Sequence, residues 1–438
     1  MDTETKPRAA LLASLPFVKL LTLSLTAAVV LSLTAPAAEA VQVVQPSLTI
    51  DCSFTGYAGD LCEQTSRAWA TRKNVNLKIE RKKLTSTEKL RKYSKLLGAG
   101  SPELDVFGVD ITWPAVFHKH LLELKNYFPE AATRYIPLYI QNNTVNGRLL
   151  AIPFNVSVGM MYYRTDLLKK YGRTPPETWE ELADTAAFIQ EKERAAGNRE
   201  LWGYVFQAKA YEGLTCNFLE WVGSYQGYPF IDDHGKVRIN TSNVQTALQT
   251  ALSWMGKITP PEVLNFAERD SHEFYRQGKA VFLRAWPSAW AEISMVPTGV
   301  LLIPKGTSRG THSSTLGGWS LAISKYSRHP QLAADLLQTL TGLEAQTQLA
   351  LTGGGSPSLS ILYDRPEILK AAPHHPLMMS LLRNALLRPS KITRADYPEV
   401  SQEIWTEVHK VLAREQTPLV AISKMHEKLE ERSTRWKK

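Results

Sequence analysis

Hydrophobic and polar positions alternate between two periods from the start of the ordered pattern. Residues 48–54 (LTIDCSF) alternate as a strand does and break at Gly56, after which residues 59–70 read as a helix. A second strand at 75–80, a second helix at 86–97 and a third strand at 104–107 (LDVF) follow. Strand-helix-strand-helix-strand order implies a parallel sheet with right-handed crossovers. Ligands of such sheets sit beyond the carboxyl ends of the strands, where loops and helix N-termini converge. Gly56, Tyr57 and Asp110 lie at those ends.

The middle of the chain turns more helical. Thr178 and Glu181 have capping-box spacing, and Trp179, Leu182, Ala186 and Ile189 then recur on one helical face. Helices are predicted at 244–258 and 271–277, and strands at 281–285, 300–303 and 320–323. Leu332, Leu336, Leu337 and Leu340 mark an amphipathic helix, and residues 353–357 (GGGSP) break it. Two further helices carry Val400, Ile404, Val408 and Val411, then Leu419, Ile422 and Leu429. No internal repeat or low-complexity tract interrupts this α/β pattern.

Ahead of these elements, residues 20–33 (LLTLSLTAAVVLSL) form an uncharged, mostly apolar run behind Lys6, Arg8 and Lys19 and before Ala38-Glu39-Ala40. A spanning helix needs about 20 apolar residues. A short apolar run with a basic start and a small-x-small end is instead a secretory signal. Residues 1–40 are therefore expected to be removed after Ala40. Composition agrees with a globular exported protein: 44% hydrophobic and 21% charged residues exclude a disordered chain. Three cysteines in an oxidising compartment suggest one disulfide and one leftover thiol, with Cys52 and Cys62 as the local pair and Cys216 left over.

Lys plus Arg exceeds Asp plus Glu by 51 to 42, a formal charge of +9. The basic residues are dispersed, densest at Arg81-Lys82-Lys83 and at 89–95, without aromatic interleaving. They read as basic surface, and no nucleic-acid partner is expected. The chain contains no GxxxxGK[ST], GxGxxG or HExxH motif, and His272-Glu273 lacks the second histidine. His118 and His120 point to different sides of a helix, and His374-His375 lies between prolines, so neither metal nor cofactor is expected. Paired carboxylates for glycoside chemistry stay open, because only their separation in space decides. A secreted sugar-active hydrolase and a basic polyanion-binding surface protein are the competing functions.

Six blocks, taken in order, resemble the extracellular solute-binding proteins of carbohydrate ABC transporters, the group that includes maltose- and trehalose-binding proteins. They are LDVFGVDITWPAVF (104–117), GRLLAIPFNVSVGMMYYRTDLLKKYGRTPPETWEEL (147–182), FYRQGKAVFLRAWPSAW (274–290), GVLLIPKG (299–306), the LGGW-to-GGGSPS stretch (316–358) and RADYPEVSQEIWTEVHKVL (394–412). The resemblance implies a type II periplasmic-binding-protein fold: two hinge-linked α/β lobes with the ligand in the cleft between them. It further implies a monomer that binds a small sugar without covalent chemistry and delivers it to ABC permease transmembrane subunits. Crossings between lobes are expected near 153–155, 315–318 and 353–357. Lobe one would comprise 41–153 with 317–354, and lobe two 154–316 with 355–438.

A sugar offers C–H faces to flat aromatics and hydroxyls to fixed carboxylates, amides or guanidinium groups. By motif position Asp110 is the carboxylate, unless it caps the segment that follows it. Trp286 and Trp319, the latter after Gly318, are stacking platforms, and Trp113 lies beside Asp110. Tyr57 reaches hydroxyls at a helix start, and Arg388 in LLRPSK reaches the ligand. Ser157 stands where relatives tend to carry an acid, and Ser288 where an aromatic is common. Asn155 and Ser157 would then take over the hydroxyl bonds. These departures argue against a pocket made simply for trehalose or maltose. The expected class is a small oligosaccharide, disaccharide or sugar-type compatible solute, with sucrose, trehalose, maltose and glucosylglycerol as examples.

Overall fold

The computed structural model describes residues 45–383 and 385–436, so the expected leader lies outside the described residues. Two sheets organise the chain. The first has six strands in the order Ser356–Pro357, Ile152–Val158, Leu316–Ile323, Val106–Asp110, Ser47–Asp51 and Asn76–Glu80. Its last three strands pair in parallel through the crossover helices Gly56–Lys73 and Ser86–Gly98, as the alternation implies. Helix Ser86–Gly98 starts in a capping box: Thr85 accepts from the Glu88 N–H, and Glu88 accepts from the Thr85 N–H at 2.7 Å.

The second sheet runs Thr298–Leu301, Met160–Arg164, Ala280–Ala285 and Trp202–Val205. Helices Trp179–Ala195, Glu212–Ser224 and Ser242–Trp254 share a core with it and with the C-terminal helices Tyr397–Leu412 and Pro418–Ser433. Trp179, Trp221 and Trp254 sit at its centre, with rings 4.9 to 5.8 Å apart. The Thr178–Glu181 capping box forms. The helix predicted to 258 ends at Trp254, because Met255 is already extended.

The expected crossings at 153–155 and 353–357 overlap strands of the first sheet. Strand Ile152–Val158 is buried throughout and hydrogen-bonds on both edges, so the chain leaves the first sheet only at Gly159. Ser356–Pro357 also pairs with that strand, and Leu359, Leu362 and Ile368 join the apolar core packed on the first sheet. A third apolar cluster, including Tyr139, Val156, Val158, Met160, Tyr162 and Leu316, runs between the sheets. Cys52 and Cys62 form a disulfide with Cα atoms 5.6 Å apart, and Cys216 is free and buried. No helix among the described residues is long and apolar enough to cross a membrane.

Candidate ligand-binding cleft

Strand register assembles the floor of the cleft. Trp319 pairs opposite Asp110 on one side and opposite Asn155 on the other, so three residues far apart in sequence share one row. The register slips just after Trp319, and there the Asn155 side chain accepts from the Trp319 N–H at 2.8 Å. Gly318 has φ +103°, and a Cβ there would fall 2.6 Å from the Asn155 carbonyl oxygen. Only glycine fits that position. Below the row, the Tyr139 hydroxyl donates to the Gly317 carbonyl at 2.7 Å and accepts from the Ser157 N–H at 2.8 Å.

An ion-paired network closes one end. Arg388, 5% exposed, donates to Asp110 at 2.9 Å and to Glu212 at 2.7 Å. Burial works against its charge, but Asp110 and Glu212 outweigh that cost and hold the guanidinium well above its ordinary pKa. Asp110 also accepts from the Thr112 N–H and hydroxyl at 3.0 and 2.8 Å, the turn-capping pattern that was its alternative role. Glu212 accepts from the hydroxyls of Tyr397 and, at 2.6 Å, Ser401. Arg388 Nε is buried without a partner among the described residues.

Tryptophans and one lysine form the walls. A Cβ on Gly317 would lie 2.6 Å from the Trp286 ring, whose face also carries the Arg284 guanidinium 4.0 Å from its centroid. Lys89 projects its ammonium over Trp319 at 4.3 Å and donates to the Ser53 carbonyl. Burial, against the pull of Asp51 and Glu268, pushes Lys89 down to about 8. Glu268 and His272 line the opposite side. The whole cleft encloses about 940 Å³, its open mouth included. Among the described residues no group of three or more His, Cys, Asp or Glu converges as a metal site.

Seven of the nine residues singled out from the sequence line this cleft: Asp110, Asn155, Ser157, Trp286, Gly318, Trp319 and Arg388. The other two do not. Trp113 is 2% exposed and packs edge-on against Trp319, with centroids 5.3 Å apart, so it supports the platform from a separate apolar cluster shared with Tyr93 and Phe107. Tyr57 packs over Gly354 beside the first core. Lys89, Glu212, Glu268 and His272 were missed. Lys89 belongs to the cluster taken as basic surface, yet it is 4% exposed; its stripe with Tyr93 and Leu97 at helical spacing was the available signal.

Two α/β sheet systems with a polar, tryptophan-walled cleft are the architecture of a type II solute-binding protein. Residues 65–347 match the bacterial extracellular solute-binding protein family, and the chain belongs to it. It is 37% identical over 410 residues to a probable ABC transporter-binding protein of Deinococcus radiodurans, covering 92% of this chain and 97% of that one. Maltose-bound MalE3 of T. maritima aligns at a TM-score of 0.82 and 32% identity, over 88% of this chain and 99% of that one. A solute-binding protein of Agrobacterium vitis with bound D-mannitol shares the fold at a TM-score of 0.77 and 20% identity, over 89% and 99% of the two chains. The chain is thus a solute-binding protein of the ABC transporter class rather than an enzyme.

Proposed function

We propose that the protein captures a small neutral sugar, disaccharide or sugar-type compatible solute between its lobes by hinge closure and hands it, as a periplasmic monomer, to ABC permease subunits. The reading takes lobe one as the first-sheet segments 45–158, 316–368 and lobe two as the remainder. The observation that carries it is the row of Asp110, Trp319 and Asn155 facing Trp286 across one cleft. Such a row sets hydroxyl-bonding groups beside flat apolar faces, the two surfaces a pyranose needs. The maltose-bound relative at 32% identity supports a disaccharide-sized ligand.

Calorimetry against maltose, trehalose, sucrose and glucosylglycerol tests the proposal. Saturable binding near the micromolar range, about −8 kcal/mol, with a smaller radius of gyration on saturation is the expected result. No binding of any of the four, alongside salt-sensitive polyanion binding, would overturn it.

A further inference from the structure

Helix Glu268–Arg276 begins outside the blocks that pointed to the cleft, yet it contributes to the lining. Glu268 and His272 stand one turn apart and so on one helical face. His272 is 6% exposed, with Nδ1 3.1 Å from Glu292 Oε2. An ionised carboxylate only accepts, so the shared proton sits on Nδ1 and Nε2 is left to bond elsewhere. That Nε2 is buried and has no partner among the described residues. Buried polar atoms are normally satisfied, so an orphan at a cleft wall is a place for a ligand hydroxyl. Glu292 is itself well placed: a Cβ on Gly56, at the start of helix Gly56–Lys73, would lie 3.2 Å from its Oε1. Its contact with His272 holds its carboxyl below the ordinary range.

We propose that Glu268 and His272 form a hydroxyl-reading subsite, in which the Glu268 carboxylate accepts from, and His272 Nε2 hydrogen-bonds to, hydroxyls of an uncharged polyhydroxy ligand. Lys89 faces Glu268 electrostatically and supplies the donor from the first lobe, and Glu292 is the positioning residue that fixes the His272 ring. A hydroxyl both donates and accepts, so a carboxylate and a ring nitrogen set against an ammonium suit it. A phosphate or carboxylate brought to this wall would meet Glu268 and Glu292 instead, which disfavours anionic sugars. The subsite rests on the sugar-binding reading above and gives it a second specificity wall.

The test starts from whichever of maltose, trehalose, sucrose and glucosylglycerol the wild type binds most tightly. His272→Ala and Glu268→Gln are each expected to weaken that ligand about tenfold or more, with the melting temperature little changed. Glu292→Ala is expected to weaken it less, and Glu292→Gln, whose amide oxygen still accepts from Nδ1–H, to restore it. The deciding measurement uses monodeoxy analogues of the same ligand: at least one must lose affinity for the wild type but not for His272→Ala, because a site built to bond a hydroxyl rejects the analogue lacking it. Should His272→Ala fail to fold, the series is run against Glu268→Gln, a change at a half-buried side chain. If no analogue shows the difference, the subsite is overturned while sugar binding stands. If the wild type binds none of the four, the functional reading falls and the subsite falls with it.

Discussion

Arg388 lies 2.9 Å from Asp110 although 278 residues separate them, and it ties the end of a first-sheet strand to the C-terminal segment. The same guanidinium holds Glu212 on the helix Glu212–Ser224, so one buried cation joins both sides of the cleft floor. Asp110 is therefore not a free carboxylate waiting for hydroxyls. It is a fixed one, oriented by Arg388 and Thr112, with the remaining acceptor capacity facing the cleft.

Removing Asp110 should consequently do two things. Asp110→Ala leaves Arg388 with Glu212 alone, and breaking a buried pair typically costs about 3 kcal/mol or more. Sugar affinity should fall about tenfold or more at the same time. Urea titration and calorimetry check both, and the double variant with Arg388→Met should lose less stability than the two single losses added together. Strict additivity would mean that the pair is not coupled.

Trp286 is expected to supply stacking energy without holding the fold. Trp286→Ala should weaken sugar binding about tenfold, or ~1.4 kcal/mol, with a melting temperature close to that of the wild type. Gly317→Ala offers an independent check, since its new Cβ would approach the Trp286 ring to 2.6 Å and force the ring to shift. Tryptophan fluorescence should report that movement, together with a loss of affinity. Unchanged affinity in both variants would remove Trp286 from the site.

The parallel strands Ser47–Asp51, Asn76–Glu80 and Val106–Asp110 were legible because their alternation and intervening helices are local patterns. The blocks around Asp110, Asn155 and Trp319 were also legible, but their alignment into one row was not. Register between distant strands depends on pairing that no local period encodes. That Ile152–Val158 is one strand paired on both edges was hidden for the same reason. Charged residue types hid the rest: Lys89, Glu212 and His272 look like surface until the fold turns them inward. Tryptophan misled in the opposite direction, because Trp113 and Trp319 share a cleft-side neighbourhood while only Trp319 lines the cleft.

His374 and His375 should make the protein acid-labile. Both are buried, with ring centroids 4.8 Å apart and all four ring nitrogens lacking partners among the described residues. Burial pushes His374 down to about 3, with His375 adding to it, and His375 down to about 4. An unfolded histidine titrates near 6.5. Below that pH the unfolded chain takes up two protons that the folded chain refuses, so stability is full above about 6.5 and declines as pH falls toward these values. The slope is ~1.4 kcal/mol per unit for each histidine, or roughly 5 kcal/mol for the pair between pH 6.5 and 4.5. Denaturant midpoints across that window should show the decline, and His374→Phe with His375→Phe should flatten it. An equally steep decline in the double variant would assign the lability to other groups.

The Cys52–Cys62 bridge should matter to binding as well as to stability, because the chain it closes contributes Phe54 and Thr55 to the cleft. Phe54 packs 4.8 Å from Phe154 and edge-on to Trp319, and the adjacent Ser53 carbonyl accepts from Lys89. Closing a loop with a sequence separation of 10 constrains the unfolded chain by ~3 kcal/mol. Cys52→Ala with Cys62→Ala should lose about that much in urea and weaken sugar binding at temperatures where the variant is still folded. Thiol titration supplies the covalent check. Cys216 is buried, and burial pushes its thiol pKa up, so the native protein should show no reactive thiol. Unfolding without reductant should expose one, and unfolding with reductant three. If affinity survives the double substitution while stability falls, the packing of Phe54 and the Lys89 contact suffice to set the loop, and the bridge serves the fold alone.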